Sequence, residues 1–125
     1  MRNPFRSILF WLPRGLGLLF AAFISLFALD VFGAGYGVWG TVAALLVHLI
    51  PTAAILLALA IGWRWAWAGA MLFAALGAAY IIVAWGAFPW VTYLIVSGPS
   101  FLIGALFLVD WLGRGEPEAD ARRRE

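Results

Sequence analysis

Four long apolar segments, separated by short polar or aromatic stretches, dominate the pattern of hydrophobic and polar positions along the chain. They cover about residues 15–32, 38–62, 66–86 and 91–112. A helix of about 20 predominantly apolar residues spans a hydrocarbon core that is about 30 Å thick. The segments are continuously apolar, whereas the strands of a membrane barrel alternate apolar and polar positions. The pattern therefore predicts an all-α integral membrane protein in which four transmembrane helices form a bundle.

The amino-acid composition agrees with a membrane protein and excludes several other classes. Of the 125 residues, 66% are hydrophobic and 11% are charged, and the mean hydropathy is +1.01. A soluble domain contains roughly 45–50% apolar and about 25% charged residues. The absence of cysteine excludes disulfides, thiolate metal sites and cysteine nucleophiles. The net charge of +2 is too small and too dispersed for a nucleic-acid surface, so no nucleic-acid partner is expected.

The eight arginines predict how the chain is oriented in the membrane. With four crossings they all fall on one side, before the first span, between the second and third, and after the fourth. The positive-inside rule then places both termini of this multi-pass protein in the cytoplasm. Tryptophans cluster at the predicted span ends, where the indole ring prefers the membrane interface. They are Trp11, Trp63, Trp65, Trp67 and Trp111 on the arginine side, and Trp39, Trp85 and Trp90 on the other.

The segment before the first span, residues 1–14, predicts a short N-terminal helix that lies in the cytoplasmic interface. Its apolar residues are spaced by three and four positions, as on one face of a helix. They are Phe5, Ile8, Leu9 and Leu12. Pro13 follows and is expected to end this helix, because proline lacks the backbone N–H that the next turn needs.

The two ends of the chain lead to two further expectations. Arginines followed by an apolar segment resemble a signal peptide, but Leu26 stands where cleavage after Ala28 needs a small residue. The first span is therefore expected to remain uncleaved. The polar segment 113–125 shows no periodicity and is predicted to be a disordered cytoplasmic tail. The short loops leave no room for a catalytic domain outside the membrane, so the function is expected within or around the helices.

Spans two and four share a proline followed by a hydroxyl residue, Pro51-Thr52 and Pro99-Ser100. An internal proline kinks a helix and frees the carbonyl four residues earlier. Paired interruptions at matching depth are typical of the internal repeats of transporters and indicate a site at the membrane midplane. The matching positions of Pro51 and Pro99 are therefore explained either by a 2+2 pseudo-repeat of helices with kinks at these two prolines or by coincidence.

Six polar residues form a candidate ligand-binding patch in the half of the bundle away from the arginines. They are Asp30, Thr41, His48, Tyr80, Tyr93 and Ser97. His48 is the only histidine and lies near the middle of span two, where an ionisable side chain is costly and marks a functional site. We expect it to point into the bundle toward Tyr80, Tyr93 or Ser97, because lipid offers its N–H no partner. The alternatives are a structural imidazole without a ligand and a proton-transfer group, although the half of the bundle near the arginines offers a proton path almost no polar residues beyond Thr52 and Ser100.

Other chemistry receives little support from the sequence. It contains no nucleotide-binding glycine motif, no Ser-His-Asp context and no acidic pair at catalytic spacing, so we expect no enzyme. One histidine supplies one haem ligand, and zinc needs three or four ligands, so neither cofactor nor metal is expected. Asp110 precedes Arg114 by four residues, which is the favourable order for an ion pair on a helix.

The expected partners are membrane lipids and other membrane helices. Each span carries small residues at four-residue spacing, which let helix backbones approach closely. These stripes pack the four helices of one chain, or a surplus stripe joins a homo-oligomer or a partner membrane protein. We favour non-enzymatic binding of a small apolar or amphipathic ligand or of such a partner. The alternative is a small transporter or channel-like protein that moves the kinked spans two and four.

Three blocks resemble a family of small bacterial four-helix membrane proteins that is known only as a domain of unknown function. The blocks are residues 26–32 (LFALDVF), 48–52 (HLIPT) and 85–99, which begins WGAFPW and ends SGP. The resemblance covers about residues 24–112 and implies a bacterial inner-membrane protein, without implying an activity or ligand. Small multidrug transporters have a similar size but need a carboxylate deep in span one, where this chain has only apolar residues and Ser25.

Overall fold

Four long helices joined by short connections account for most of the described chain. The computed structural model describes the backbone of residues 4–125 and the side chains of residues 4–114 and 122–125. The helices are α1 Pro4–Leu26, α2 Gly37–Arg64, α3 Ala66–Val83 and α4 Trp90–Arg124, and a 3₁₀ helix, Phe27–Gly33, follows α1. Four segments are long and apolar enough to cross a membrane: Pro4–Gly33, Gly37–Arg64, Ala66–Val83 and Trp90–Arg114. The predicted all-α architecture with four spanning helices is confirmed.

The first helix differs from the prediction at its start. α1 begins at Pro4 and continues through Pro13, so the prediction of a separate interfacial helix ending at Pro13 is wrong. Pro13 and Arg14 are both buried, and the Arg14 guanidinium donates a hydrogen bond to the carbonyl of Phe10 in the preceding turn. Contacts with the rest of the bundle therefore keep the helix intact where proline removes one backbone hydrogen bond.

The last helix also extends further than expected. α4 continues to Arg124, across the segment 113–124 that the sequence predicts to be a disordered tail. Lengthening an existing helix adds about one hydrogen bond for each residue fixed and avoids the cost of nucleation. A spanning helix therefore propagates into a polar sequence that would not nucleate one.

The helices form a ring in which α1 packs against α2 and α4, and α3 packs against the same two helices. Large apolar side chains from all four helices meet in the core, among them Phe20, Ile55, Phe73 and Phe107. The backbones of α2 and α3 approach most closely at two glycines. A Cβ added to Gly62 would lie 2.8 Å from the Cα of Gly69, so both positions require glycine.

The bundle is packed more tightly at one end than at the other. We call the end that holds Arg6, Arg14, Arg64 and Arg114 the arginine end, and the end that holds the 3₁₀ helix the opposite end. All the buried residues of α2 lie in the half next to the arginine end, from Thr52 onward. Toward the opposite end, α2 has no fully buried residue and contacts the 3₁₀ helix.

Candidate functional site

The most deeply buried charge in the described chain is Arg14 of α1, whose side chain is 0% exposed. Its guanidinium donates to the Asp110 carboxylate of α4 at 3.1 Å and to the Trp63 carbonyl at the end of α2 at 3.0 Å. Three helices therefore converge on one side chain. A buried charge needs such partners, because removing it from water costs several kcal/mol per ion.

Asp110 is shared between two arginines. Its Oδ2 accepts hydrogen bonds from Arg14 and, at 3.0 Å, from Arg114 one turn later on α4. The predicted pair between Asp110 and Arg114 is confirmed. The pair between Asp110 and Arg14 was missed, because the sequence places Arg14 before the first span, as a flanking charge.

Aromatic rings pack against the guanidiniums of the charged cluster. The guanidinium carbon of Arg14 lies 3.6 Å from the centre of the Phe10 ring and 5.3 Å from that of Phe107. The guanidinium carbon of Arg114 lies 5.4 Å from the same Phe10 ring. The negative faces of aromatic rings attract cations, more strongly where water is excluded. The rings therefore offset part of the cost of burying the cluster.

A third arginine adds positive charge to the contact between α1 and α4. Arg6 of α1 donates to the carbonyl of Gly113 on α4 at 3.1 Å, next in sequence to Arg114. Arg6 is exposed, and the side chain of Arg114 is 44% exposed. We call the line of contact from Arg6 and Gly113 through Arg14 and Asp110 the α1–α4 seam. The described side chains of this seam thus include three arginines, Arg6, Arg14 and Arg114, and one carboxylate, that of Asp110.

An apolar groove continues the α1–α4 seam from the charged cluster toward the opposite end of the bundle. The groove has a volume of about 430 Å³. It is lined by Leu16, Leu19, Phe20 and Phe23 of α1 and by Ile95, Pro99, Leu102 and Ile103 of α4. The groove lies on the outside of the bundle, where lining residues such as Leu19 and Leu102 are exposed, so it is open to the surrounding lipid. The seam thus combines charge at one end with an alkyl surface beyond it.

His48 does not occupy the predicted position. Its side chain is exposed, and its Nδ1 lies 2.8 Å from the carbonyl of Ala44 on its own helix. Since a carbonyl only accepts, Nδ1 is the donor of this hydrogen bond. The prediction that His48 points into the bundle toward Tyr80, Tyr93 or Ser97 is wrong, because its side chain is exposed and its described hydrogen bond stays within α2.

The other members of the predicted patch fall into two groups. Tyr80 and Tyr93 lie together, with ring centres 6.0 Å apart, and the Tyr93 hydroxyl donates to the Ala84 carbonyl. The buried Ser97 hydroxyl donates to the Gly77 carbonyl at 2.9 Å. These three side chains join α3 to α4. The remaining residues, Asp30 and Thr41, are exposed and half-buried respectively, and the six residues do not form one site.

The two prolines lie within continuous helices, and their neighbouring hydroxyls differ. Ser100 donates to the carbonyl of Val96 at 3.2 Å, whereas the buried Oγ1 of Thr52 has no hydrogen-bond partner among the described residues. Pro51 is exposed and Pro99 lines the groove. The proposed equivalence of spans two and four therefore does not extend to these contacts. No group of three or more His, Asp or Glu side chains that could hold a metal occurs among the described residues.

The four spanning helices and the lipid-facing groove define a small multi-pass membrane protein with its polar chemistry concentrated at one end. The chain belongs to the family described as Domain of unknown function (DUF7670), whose model matches residues 1–122. The resemblance to an uncharacterised family is thereby confirmed. No curated protein and no solved structure matches the chain.

Proposed function

We propose that this protein is a non-enzymatic membrane protein that binds an amphipathic lipid along the α1–α4 seam. The observation that carries the proposal is the groove of about 430 Å³, whose eight lining residues are all apolar. Sites for small molecules typically have volumes of about 300–1,000 Å³. Side chains without donors or acceptors favour an alkyl chain, and the adjacent arginines provide a place for a polar headgroup.

The lining of the groove supports a flexible chain rather than a partner helix as its occupant. Helix interfaces within membranes are rich in Gly, Ala and Ser, which let two backbones approach closely. The groove instead presents branched and aromatic side chains, such as Leu19, Phe23 and Leu102. An acyl chain can follow such an irregular surface, because it adjusts its own torsions.

The packing of the bundle axis supports a binding protein over a transporter. Phe73 and Phe107 are fully buried and stack with ring centres 5.8 Å apart, and Ile103 beside them is 1% exposed. A transporter has to open this half of the bundle in each cycle. Doing so would separate the best-packed side chains and the ion pair between Arg14 and Asp110.

The proposed location is the bacterial inner membrane, with both termini in the cytoplasm. The support is the placement of all eight arginines outside the predicted loops of the opposite end. Trp11 and Trp111, which are 56% and 46% exposed, lie near the arginine end at the level expected for interfacial tryptophan. Cationic segments are retained on the cytoplasmic side of the membrane, which explains why the arginines occur together at one end.

Reporter fusions test this orientation. Fusions at Gly35, Arg64, Phe88 and the C-terminus should report outside, inside, outside and inside, respectively. A cytoplasmic signal at Gly35 or Phe88 would contradict the proposed topology.

A groove-filling substitution tests the binding site itself. Leu19 lines the groove, whereas Leu18, the next residue on α1, is similarly apolar and exposed but lies outside it. We expect L19W to occupy part of the groove and to reduce the lipid that native mass spectrometry detects on protein purified in mild detergent. The matched variant L18W should retain as much lipid as the wild type. Equal retention in L19W, L18W and the wild type would overturn the proposed site.

A further inference from the structure

We propose that the α1–α4 seam selects an anionic phospholipid, with its phosphate bound between Arg6 and Arg114. The inference rests on the proposed function, since the acyl chain of the same lipid would lie in the groove. It adds the chemical class of the headgroup and the residues that recognise it. Neither arginine is needed to explain how the helices span a membrane.

The charges of the seam do not balance. Arg14 is fully enclosed and donates to Asp110, so these two groups neutralise each other inside the bundle. Arg114 shares the same carboxylate oxygen, and the hydrogen bond described for Arg6 goes to a carbonyl, that of Gly113. Among the residues whose side chains are described, the seam therefore has three arginines and one carboxylate, which favours an anionic headgroup over a zwitterionic one.

The two exposed guanidiniums are positioned to act together. The hydrogen bond from Arg6 to the carbonyl of Gly113 places the α1 side chain beside the residue that precedes Arg114. Each guanidinium has five N–H donors, and the hydrogen bonds described use one nitrogen of Arg6 and one of Arg114. Donors therefore remain on both side chains, and paired N–H groups of this kind match the oxygens of a phosphate.

The depth of the groove fits the same lipid. Phe23, at its far end, lies nine residues beyond Arg14, or about 14 Å along the helix. One leaflet contributes about 15 Å of the hydrocarbon core, so an acyl chain of that leaflet reaches the far end of the groove. Arg6 and Arg114 lie beyond Arg14 and Asp110 toward the helix ends, at the level of the headgroups. Free phosphate would satisfy the arginines alone, whereas a phospholipid satisfies the arginines and the groove.

The test measures headgroup preference on the full-length protein. Wild-type protein is equilibrated with vesicles of equimolar phosphatidylglycerol and phosphatidylethanolamine, and bound lipids are counted by native mass spectrometry. We expect the wild type to prefer phosphatidylglycerol. R6Q should lower this preference about fivefold and R6Q/R114Q further still, because an arginine near the membrane surface attracts anionic lipid with about 1 kcal/mol. Total lipid retained should change little, since the groove is untouched.

R64Q is the matched control. Arg64 is also exposed at the arginine end, but it lies on α2 with its guanidinium carbon 5.5 Å from the Trp65 ring, and no contact with Arg6 or Arg114 is described. R64Q should keep the wild-type preference. R114Q also removes an ion-pair partner of Asp110 and is expected to lower the thermal unfolding temperature. R6Q removes a hydrogen bond to a backbone carbonyl, so it tests the headgroup preference without disturbing Asp110.

The outcomes separate the headgroup proposal from the proposed function. A wild type without headgroup preference, or an equal loss of preference in R64Q and R6Q, would overturn the anionic site while the groove stays valid. Binding of inorganic phosphate by the wild type but not by R6Q/R114Q, with equal retention of phosphatidylglycerol by the two proteins, would assign the arginines to a free anion and overturn the lipid. The L19W variant tests the proposed binding of lipid in the groove separately.

Discussion

The arginine end and the opposite end of the bundle are held together by different forces. At the arginine end, Arg14 and Asp110 form an ion pair within the bundle, and the Gly62 and Gly69 backbones touch. At the opposite end, neutral hydrogen bonds such as that of Ser97 to the Gly77 carbonyl join α3 to α4, and α2 has no fully buried residue. Three helices, α1, α2 and α4, therefore meet at the charged cluster, whereas no ion pair is described at the opposite end.

This difference indicates where a ligand can bind. Tight packing at the arginine end fixes the distance between α1 and α4, and the separation beyond it forms the groove. A buried ion pair is costly to assemble in a medium of low dielectric constant, and removing one partner leaves the other charge uncompensated. Substitutions at the arginine end should therefore have the larger effects, and those at the opposite end should be tolerated.

Loss of Asp110 should have the largest effect. D110L leaves the buried Arg14 and its neighbour Arg114 without a counter-ion, and we expect the free energy of unfolding to fall by about 3–5 kcal/mol. Denaturation in mixed detergent micelles measures this change. D30L removes the exposed carboxylate of the opposite end and should change stability by less than about 0.5 kcal/mol. Similar losses in D110L and D30L would remove the distinction between the two ends.

A methyl group at Gly69 should have the next largest effect. A Cβ at this position would lie 2.7 Å from the Cα of Gly62, so α2 and α3 must separate. Overpacking of this kind costs about 1–3 kcal/mol, and G69A should lower the thermal unfolding temperature accordingly. Gly98 lies on α4 toward the opposite end. A Cβ added there would have only the Leu94 side chain nearby, at 3.9 Å, so G98A should be neutral or stabilising. An unfolding temperature that is unchanged in G69A would show that the helices are not in contact there.

Removal of the Ser97 hydroxyl should have a smaller effect. S97A loses one hydrogen bond to the Gly77 carbonyl, and such bonds between membrane helices contribute about 0.6 kcal/mol on average. We expect the unfolding free energy to fall by that amount while the lipid retained on the seam stays constant. A simultaneous loss of bound lipid in S97A would indicate that the α3–α4 contact is part of the binding site.

Substitution of His48 should have the smallest effect. Its only hydrogen bond in the described structure is to the Ala44 carbonyl of its own helix, and phenylalanine suits a lipid-facing position equally well. We expect H48F to change the free energy of unfolding by less than about 0.5 kcal/mol and to retain lipid on the seam. A loss several times larger would mean that His48 has a partner in the assembled protein, as the sequence predicts.

The four spanning helices are predictable because each fills the membrane with apolar residues, a constraint that acts on every segment separately. The start of α1 is not predictable from Pro13 alone. Proline weakens a helix locally, but the burial of Arg14 against α2 and α4 restores it, and that contact joins residues 96 positions apart. Local rules predict the elements, whereas long-range contacts decide where they begin.

The candidate site shows the same limit. The sequence predicts that His48 points inward because lipid offers its N–H no partner. The structure leaves His48 exposed and Thr41 half-buried, and how far neighbouring helices cover α2 cannot be read from the pattern of α2 itself. The sequence does contain an indication of the ion pair between Arg14 and Asp110. Both are charges next to apolar spans at matching depth, with opposite sign, and charges at such positions usually pair.

The coupling between Arg14 and Asp110 tests the account most directly. The stabilities of R14L, D110L and the double variant R14L/D110L form a double-mutant cycle in which Arg114 is present throughout. We predict that the double variant is more stable than the sum of the two single losses implies, by more than about 1 kcal/mol, because it removes both buried charges together. Losses that add within about 0.5 kcal/mol would mean that the two side chains do not interact, and would contradict an arginine end held by this ion pair.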